Sequence, residues 1–135
     1  MAKFNPAWKT LYEAALNARQ NAYAPYSGSR VGAAIMSADG RIYTGCNIEN
    51  SSYGATCCAE RVALFNAVRQ GERHFTAIAV AGGRDKADEK CVPCGICLQA
   101  HSEFLTSDAL VIVEDPDKSA PVTLGQLLPQ AFSLL

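Results

Sequence analysis

A chain of 135 residues, 49% of them hydrophobic, is long enough for one compact core and too short for two ordinary domains, so residues 1–135 are expected to form a single domain. With 12 Lys and Arg against 13 Asp and Glu, the net charge of −1 gives no field that would draw nucleic acid or an acidic surface, and a small, nearly neutral ligand fits better. No stretch approaches the roughly 18 apolar residues of a membrane span, and Met1–Lys9 lacks the apolar run of a leader, so the 6 cysteines read as reduced thiols of a soluble cytoplasmic protein.

Trp8, Leu11, Tyr12, Ala15, Leu16 and Ala22 recur mostly at spacings of three and four, with Pro6 near the start and Pro25 after the end, which predicts an amphipathic helix over 6–23. Residues 24–29 form a loop leading to a hairpin, with strands at about Val31–Ser37 and Arg41–Ile48. Asp39-Gly40 is expected to supply the positive φ angles of the turn. Along the second strand, Ile42, Thr44, Cys46 and Ile48 share one face, and Tyr43, Gly45, Asn47 and Glu49 the other. One face is for the core, and Cys46 reads as a buried small hydrophobe.

A polar loop over 50–56 feeds a helix at about Cys57–Gln70, with an apolar stripe of Ala63, Leu64, Ala67 and Val68 and a stop at Gly71. Phe75–Ala81 reads as a strand buried on both faces. The charged run 84–90 is a solvated loop, Pro93 opens a third helix through about Leu105, Ala109–Val113 is a short strand, and Thr123–Leu128 a brief helix. Helices alternating with strands after an opening hairpin predict an α/β fold, a three-layer α/β/α sandwich on a mixed sheet of about five strands.

Cys58-Ala59-Glu60 is answered by Pro93-Cys94-Gly95-Ile96-Cys97, each at the start of a predicted helix. Helix N-termini stabilise thiolates, and a catalytic zinc takes three protein ligands and keeps one position open. Glu60, two residues past Cys58, then stands beside a metal without binding it. Two shifted registers remain open: Cys91, Cys94 and Cys97 as a structural trio, or Cys57 in place of Cys58. Neither keeps a carboxylate two residues after the ligand.

A ligand-x-Glu followed by Pro-Cys-x-x-Cys is the general signature of zinc deaminases acting on nucleobases. Together with Tyr23-Ala24-Pro25-Tyr26-Ser27, Val31-Gly32-Ala33-Ala34, Gly45-Cys46-Asn47-Ile48-Glu49-Asn50, the following Arg61 and Leu127-Leu128-Pro129, the chain resembles the small homotetrameric cytidine deaminases over nearly all its length. The resemblance implies one Zn2+ per subunit on Cys58, Cys94 and Cys97, and Glu60 as proton shuttle. It also implies Asn47, Glu49 and Ala59 as substrate contacts, Arg61 tempering the ligand charge, and Phe132 reaching a neighbouring subunit's pocket in a homo-oligomer, expected to be a tetramer. The implied reaction is hydrolysis of a cytosine nucleoside to the uracil nucleoside and ammonia.

Two departures bear on the substrate. Ser29-Arg30 stands where the family usually has Phe-Pro, and Leu98 where it has Arg. Loss of a base-stacking aromatic removes about 1–3 kcal/mol of contact by analogy with other stacking sites. Ser29 and Arg30 are therefore expected to widen the pocket and set a cation near its mouth, favouring a modified, acidic or antibiotic cytosine nucleoside as the alternative substrate. A nucleic-acid-editing deaminase should carry a basic groove with interleaved aromatics, and this chain is acidic on balance with 8% aromatics. A non-catalytic zinc or redox module has no use for Glu60.

Overall fold

The computed structural model of the chain describes residues 5–135; the reading of the first residues as free of a leader falls partly on residues 1–4, outside them. Helix α1 (Pro6–Arg19) is started by the Asn5 side chain, which accepts the Ala7 N–H at 3.0 Å, and by proline in its first turn. It stops short of residue 23 because Tyr23 is drawn off to pair beside Ile48, its N–H bonding the Asn47 carbonyl at 3.0 Å.

Strands β1 (Arg30–Ser37) and β2 (Ile42–Cys46) form the expected hairpin. Gly40 alone in its turn has positive φ, 89°, and its N–H bonds the Ser37 carbonyl at 3.0 Å. The connection is thus a three-residue loop closed by a left-handed glycine, and Asp39 contributes no positive φ. Then come α2 (Ala59–Arg69), β3 (Phe75–Gly83), α3 (Gly95–Ser102), β4 (Leu105–Ile112), β5 (Val122–Thr123) and α4 (Leu124–Leu127). The last is opened by a capping box between Thr123 and Gln126.

The five strands make one mixed sheet in the order β2-β1-β3-β4-β5, with β1 antiparallel to both neighbours, β3 parallel to β4, and β5 antiparallel to β4. The architecture is the α/β sandwich expected. Alternation along the central strands divides the core: Ala34, Ala77, Ala79 and Ala81 pack under Leu11, Tyr12 and Ala15 of α1, and Ala33, Ile35 and Ile78 pack under α2 and α3. β2 contributes to both sides, Ile42 toward α1 and Tyr43 toward α2, so neither of its faces is simply solvent.

Other boundaries moved as well, two of them for tertiary reasons. β4 begins four residues before Ala109, because Leu105 pairs with Phe75 across a register shift although Thr106, Ser107 and Asp108 carry no apolar signal. α3 ends at Ser102, before Leu105, as Phe104 packs on the core with its ring edge-on to Phe75, centroids 6.5 Å apart. Cys58 and Cys94 are the N-caps of α2 and α3, one step outside the first turns where they were expected.

The topology brings those two caps together. β2 runs parallel to β3 because β1 is antiparallel to both, so β2-α2-β3 and β3-α3-β4 are two crossovers stepping the same way across the sheet. Uniform crossover handedness puts both helices on one face. Their N-termini then lie at the carboxyl ends of the parallel strands, where α/β sheets place their sites.

Gly45 sets how closely α2 approaches that sheet: a Cβ there would stand 2.4 Å from the Ala63 nitrogen, against helix backbone that cannot yield locally. Gly45→Ala is expected to cost about 3 kcal/mol, the upper range for overpacking. A urea midpoint unchanged by the substitution would contradict this packing.

Candidate active site and metal centre

The site begins where β2 runs out. Residues 47–49 stay extended because they are clamped on both sides: the Asn47 N–H bonds Val31 O at 3.0 Å, Ile48 and Cys57 exchange both backbone bonds at 3.0 Å, and the Glu49 N–H bonds Tyr23 O at 2.8 Å. The Asn47 amide straps the start of β1, its Oδ1 accepting the Val31 N–H and its Nδ2 donating to Ser29 O, both at 2.8 Å. That leaves one N–H and one lone pair for a ligand. Glu49 accepts the Ser27 hydroxyl at 2.5 Å and the Tyr26 and Ser27 amides at 2.9 and 3.2 Å. Those bonds, the Ser27 hydroxyl first, hold its carboxyl below the ordinary range, so it is ionised at neutral pH.

The sulfurs of Cys58, Cys94 and Cys97 lie within 4.8 Å of one another, Cys58 to Cys94 at 4.0 Å and Cys94 to Cys97 at 3.6 Å. Thiolates bound tetrahedrally to zinc at about 2.3 Å stand about 3.8 Å apart, so the donor set fits the ion. Among the described residues no fourth Cys, His, Asp or Glu joins the group, which leaves one corner of a tetrahedron free. Cys57 instead sits in the backbone bridge to Ile48, and the Cys91 thiol donates to Glu89 O at 3.5 Å beside Gly82. Both shifted registers fall outside the cluster.

Three sulfurs this close cannot all ionise unaided. The neighbouring Cys97 thiol, Arg61 and Cys94 hold the Cys58 thiol below the usual range against desolvation, whereas Cys97, beside that thiolate and desolvated, is pushed up. A dication among them removes the conflict, since it deprotonates its thiol ligands. The Arg61 Nη2 donates to Cys58 Sγ at 3.6 Å, and its Nε is buried without a partner among the described residues. A guanidinium turned toward sulfur is consistent with thiolates there.

Glu60 follows Cys58 into the first turn of α2 and is 6% exposed. Burial pushes its carboxyl up to about 7, with the Cys58 thiolate adding to the effect and its own backbone amide and Arg61 opposing it. Behind the cysteines lies His101, 2% exposed, its Nδ1 2.5 Å from the Cys97 carbonyl one turn back. Sequence reasoning passed over it, although a histidine four residues after a ligand cysteine on one helix is a readable signal. Desolvation holds its pKa down, and its bond to the Cys97 carbonyl lies within α3, one turn beyond the cysteine.

These groups share a cavity of about 370 Å³, floored by Val31 and Val80 from the sheet and walled by Asn47, Glu49, Glu60 and Cys58. That size suits a small ligand. Ala59 and Ser29 also line it; Arg30 does not, since its guanidinium donates to Gln20 O at the end of α1. The cation in the lining is Lys90. Phe132 is 66% exposed and lies outside its own chain's cavity, its carbonyl accepting the Gln99 amide at 3.0 Å. Leu98 is buried in the core beneath α3. A larger hollow of about 520 Å³ beside the hairpin turn is open surface, and Glu72 and Arg73 there are occupied by Tyr43 and by backbone carbonyls.

Residues 7–113 match the model of the cytidine and deoxycytidylate deaminase zinc-binding region. The chain is 44% identical over 126 residues to a cytidine deaminase of Halalkalibacterium halodurans, covering 91% of this chain and 92% of that protein. It is 45% identical over 122 residues to a probable cytidine deaminase of Dictyostelium discoideum, covering 90% of this chain and 80% of that one. A crystal structure of cytidine deaminase from Burkholderia pseudomallei superposes with a TM-score of 0.82 at 44% identity, over 91% of this chain and 97% of that chain. The three sulfurs, the buried carboxylate beside them and the match over most of the chain agree, and the protein belongs to the cytidine and deoxycytidylate deaminase family of zinc enzymes.

Proposed function

We propose that this protein hydrolyses cytidine and deoxycytidine to the corresponding uracil nucleosides with release of ammonia. The observation that carries it is a carboxylate only 6% exposed next to three sulfurs spaced for zinc. Cys58, Cys94 and Cys97 hold the ion, which when bound supplies a Lewis acid able to bring the pKa of water toward about 7. Glu60 would accept a proton from the attacking water, pass it to N3 of the pyrimidine as the C4–O bond forms, and carry the remaining proton of the new C4 hydroxyl to the departing ammonia as the C4–N bond breaks. Water and the amino nucleoside thus become the oxo nucleoside and ammonia, with no other reactant. Arg61 draws negative charge from the Cys58 sulfur, limiting how far three thiolates blunt the metal.

Asn47, with its one spare donor and acceptor, and Glu49, ionised, hold the ribose hydroxyls, and Ala59 lies against the base. Phe132, exposed in its own chain, closes the cavity of a neighbouring copy, and the exposed Tyr53 and Ile96 suit a homo-oligomer, taken as a tetramer in the cytoplasm. No described helix is long and apolar enough to cross a membrane. Ser29 on the cavity wall supports the second reading, in which a modified cytosine nucleoside outperforms cytidine.

The test is ammonia release and loss of cytosine absorbance with zinc-loaded enzyme across cytidine, deoxycytidine and base-substituted analogues. Turnover of the first two is expected. No turnover of any cytosine nucleoside would refute the proposal, and a wide margin for cytidine would refute the second reading.

A further inference from the structure

The cationic groups around the cavity are not equivalent. Arg61 faces the Cys58 sulfur, Arg30 is spent on Gln20 O, and Arg19 donates to the carbonyls of Arg30 and Gly83 at 2.9 and 2.7 Å. Lys90 differs in two respects. Among the described residues it is the one Lys or Arg that lines the cavity, and its ammonium has no hydrogen bond or ion pair there.

Its backbone is also held, unlike that of a lysine on a free loop. The Glu89 N–H before it bonds Gly82 O at 3.1 Å, and the Cys91 N–H after it bonds Val113 O at 2.8 Å. The Cys91 side chain packs on Gly82, closely enough that a Cβ on that glycine would stand 2.9 Å from the sulfur. Lys90 therefore projects from a segment pinned to β3 and to the end of β4, which is how a recognition group keeps its position. Ser29 lines the same cavity with a small side chain.

We propose that Lys90 is a specificity-determining residue that pairs with an anionic oxygen group, carboxylate or phosphate, borne by the cytosine nucleoside, so that anionic cytosine nucleosides are accepted as a substrate class beside cytidine and deoxycytidine. This rests on the deaminase reading above. Glu49, which also lines the cavity, is ionised, so the anion is accepted only on the part of the ligand that faces Lys90 and lies away from Glu49. The position of the charge on the substrate thus decides whether it is recognised.

The experiment measures kcat/KM, or Ki for a compound that is not turned over, for two matched pairs. The base-borne arm compares 5-carboxycytidine with its uncharged 5-carbamoyl counterpart, and the sugar-borne arm compares cytidine 5′-monophosphate with cytidine. Within each enzyme the charged-to-neutral ratio is read, so a general loss of activity cancels. In one arm the ratio is expected to fall about fivefold from wild type to Lys90→Met, the upper end for an exposed charge pair, and further in Lys90→Glu. The same ratio in wild type should fall as salt is raised. Arg30→Met should keep the wild-type ratio. The arm that responds tells whether the anion sits on base or sugar. Ratios unmoved in both arms, with cytidine still turned over, overturn the role of Lys90 alone. No turnover or competitive binding of any cytosine nucleoside overturns that role and the deaminase reading together.

Discussion

Glu60→Gln is expected to leave about one zinc per chain and to lower kcat by about 10³- to 10⁴-fold, the scale of a lost general acid–base group. Glutamine keeps the shape and most of the packing of a side chain that is 6% exposed, so the protein should fold and hold its ligand turn. What it lacks is a site that binds and releases a proton near neutrality. Desolvation has set the Glu60 carboxyl to about 7, and the adjacent thiolate supports the shift. Substrate binding should persist, so the defect belongs in kcat far more than in KM. A Glu60→Gln enzyme that retains a tenth of wild-type kcat would remove Glu60 from the proton path.

The second large effect concerns the metal. Cys58→Ala, Cys94→Ala and Cys97→Ala should each lose most of the bound zinc and the activity with it, whereas Cys57→Ser and Cys91→Ser should retain the ion. Metal affinity contributes to stability wherever only the folded chain presents the site, so chelation should also lower the Tm of wild type. The three ligands separate further by burial. Cys94 is exposed and packs against little, so Cys94→Ala should lower Tm only in the zinc-loaded protein and leave the chelated protein unchanged. Cys97 is fully buried, and Cys97→Ala should lower both. Elemental analysis and thermal melts with and without chelator decide it. Zinc retained in Cys58→Ala but lost in Cys57→Ser or Cys91→Ser would assign the metal to one of the shifted registers.

The resemblance and the helix-start signals together singled out three cysteines and a glutamate, and the structure brings these together: sulfurs 3.6 and 4.0 Å apart and a carboxylate shielded from water. The Asn47 and Glu49 pair was readable as polar residues at a strand exit. Their precision was not, because it depends on Tyr23, Val31 and Cys57, which are distant in sequence and clamp the segment from both sides. Arg30 illustrates the same limit in the other direction. Its neighbour Ser29 lines the cavity, but alternation along β1 and a carbonyl at the end of α1 turn the guanidinium away.

Local chemistry was enough for the order and type of nearly every element, since apolar spacing, glycine and proline punctuation and helix caps act over a few residues. It was also enough for which residue types could hold zinc. Only the folded sheet decided which cation faces the cavity, that Cys91 and Cys57 stand outside the metal cluster, and that β4 extends through a polar stretch. Each of these follows from contacts between segments far apart in the chain, whose energies no local pattern encodes: two crossovers must step the same way across one sheet before their helix starts can meet.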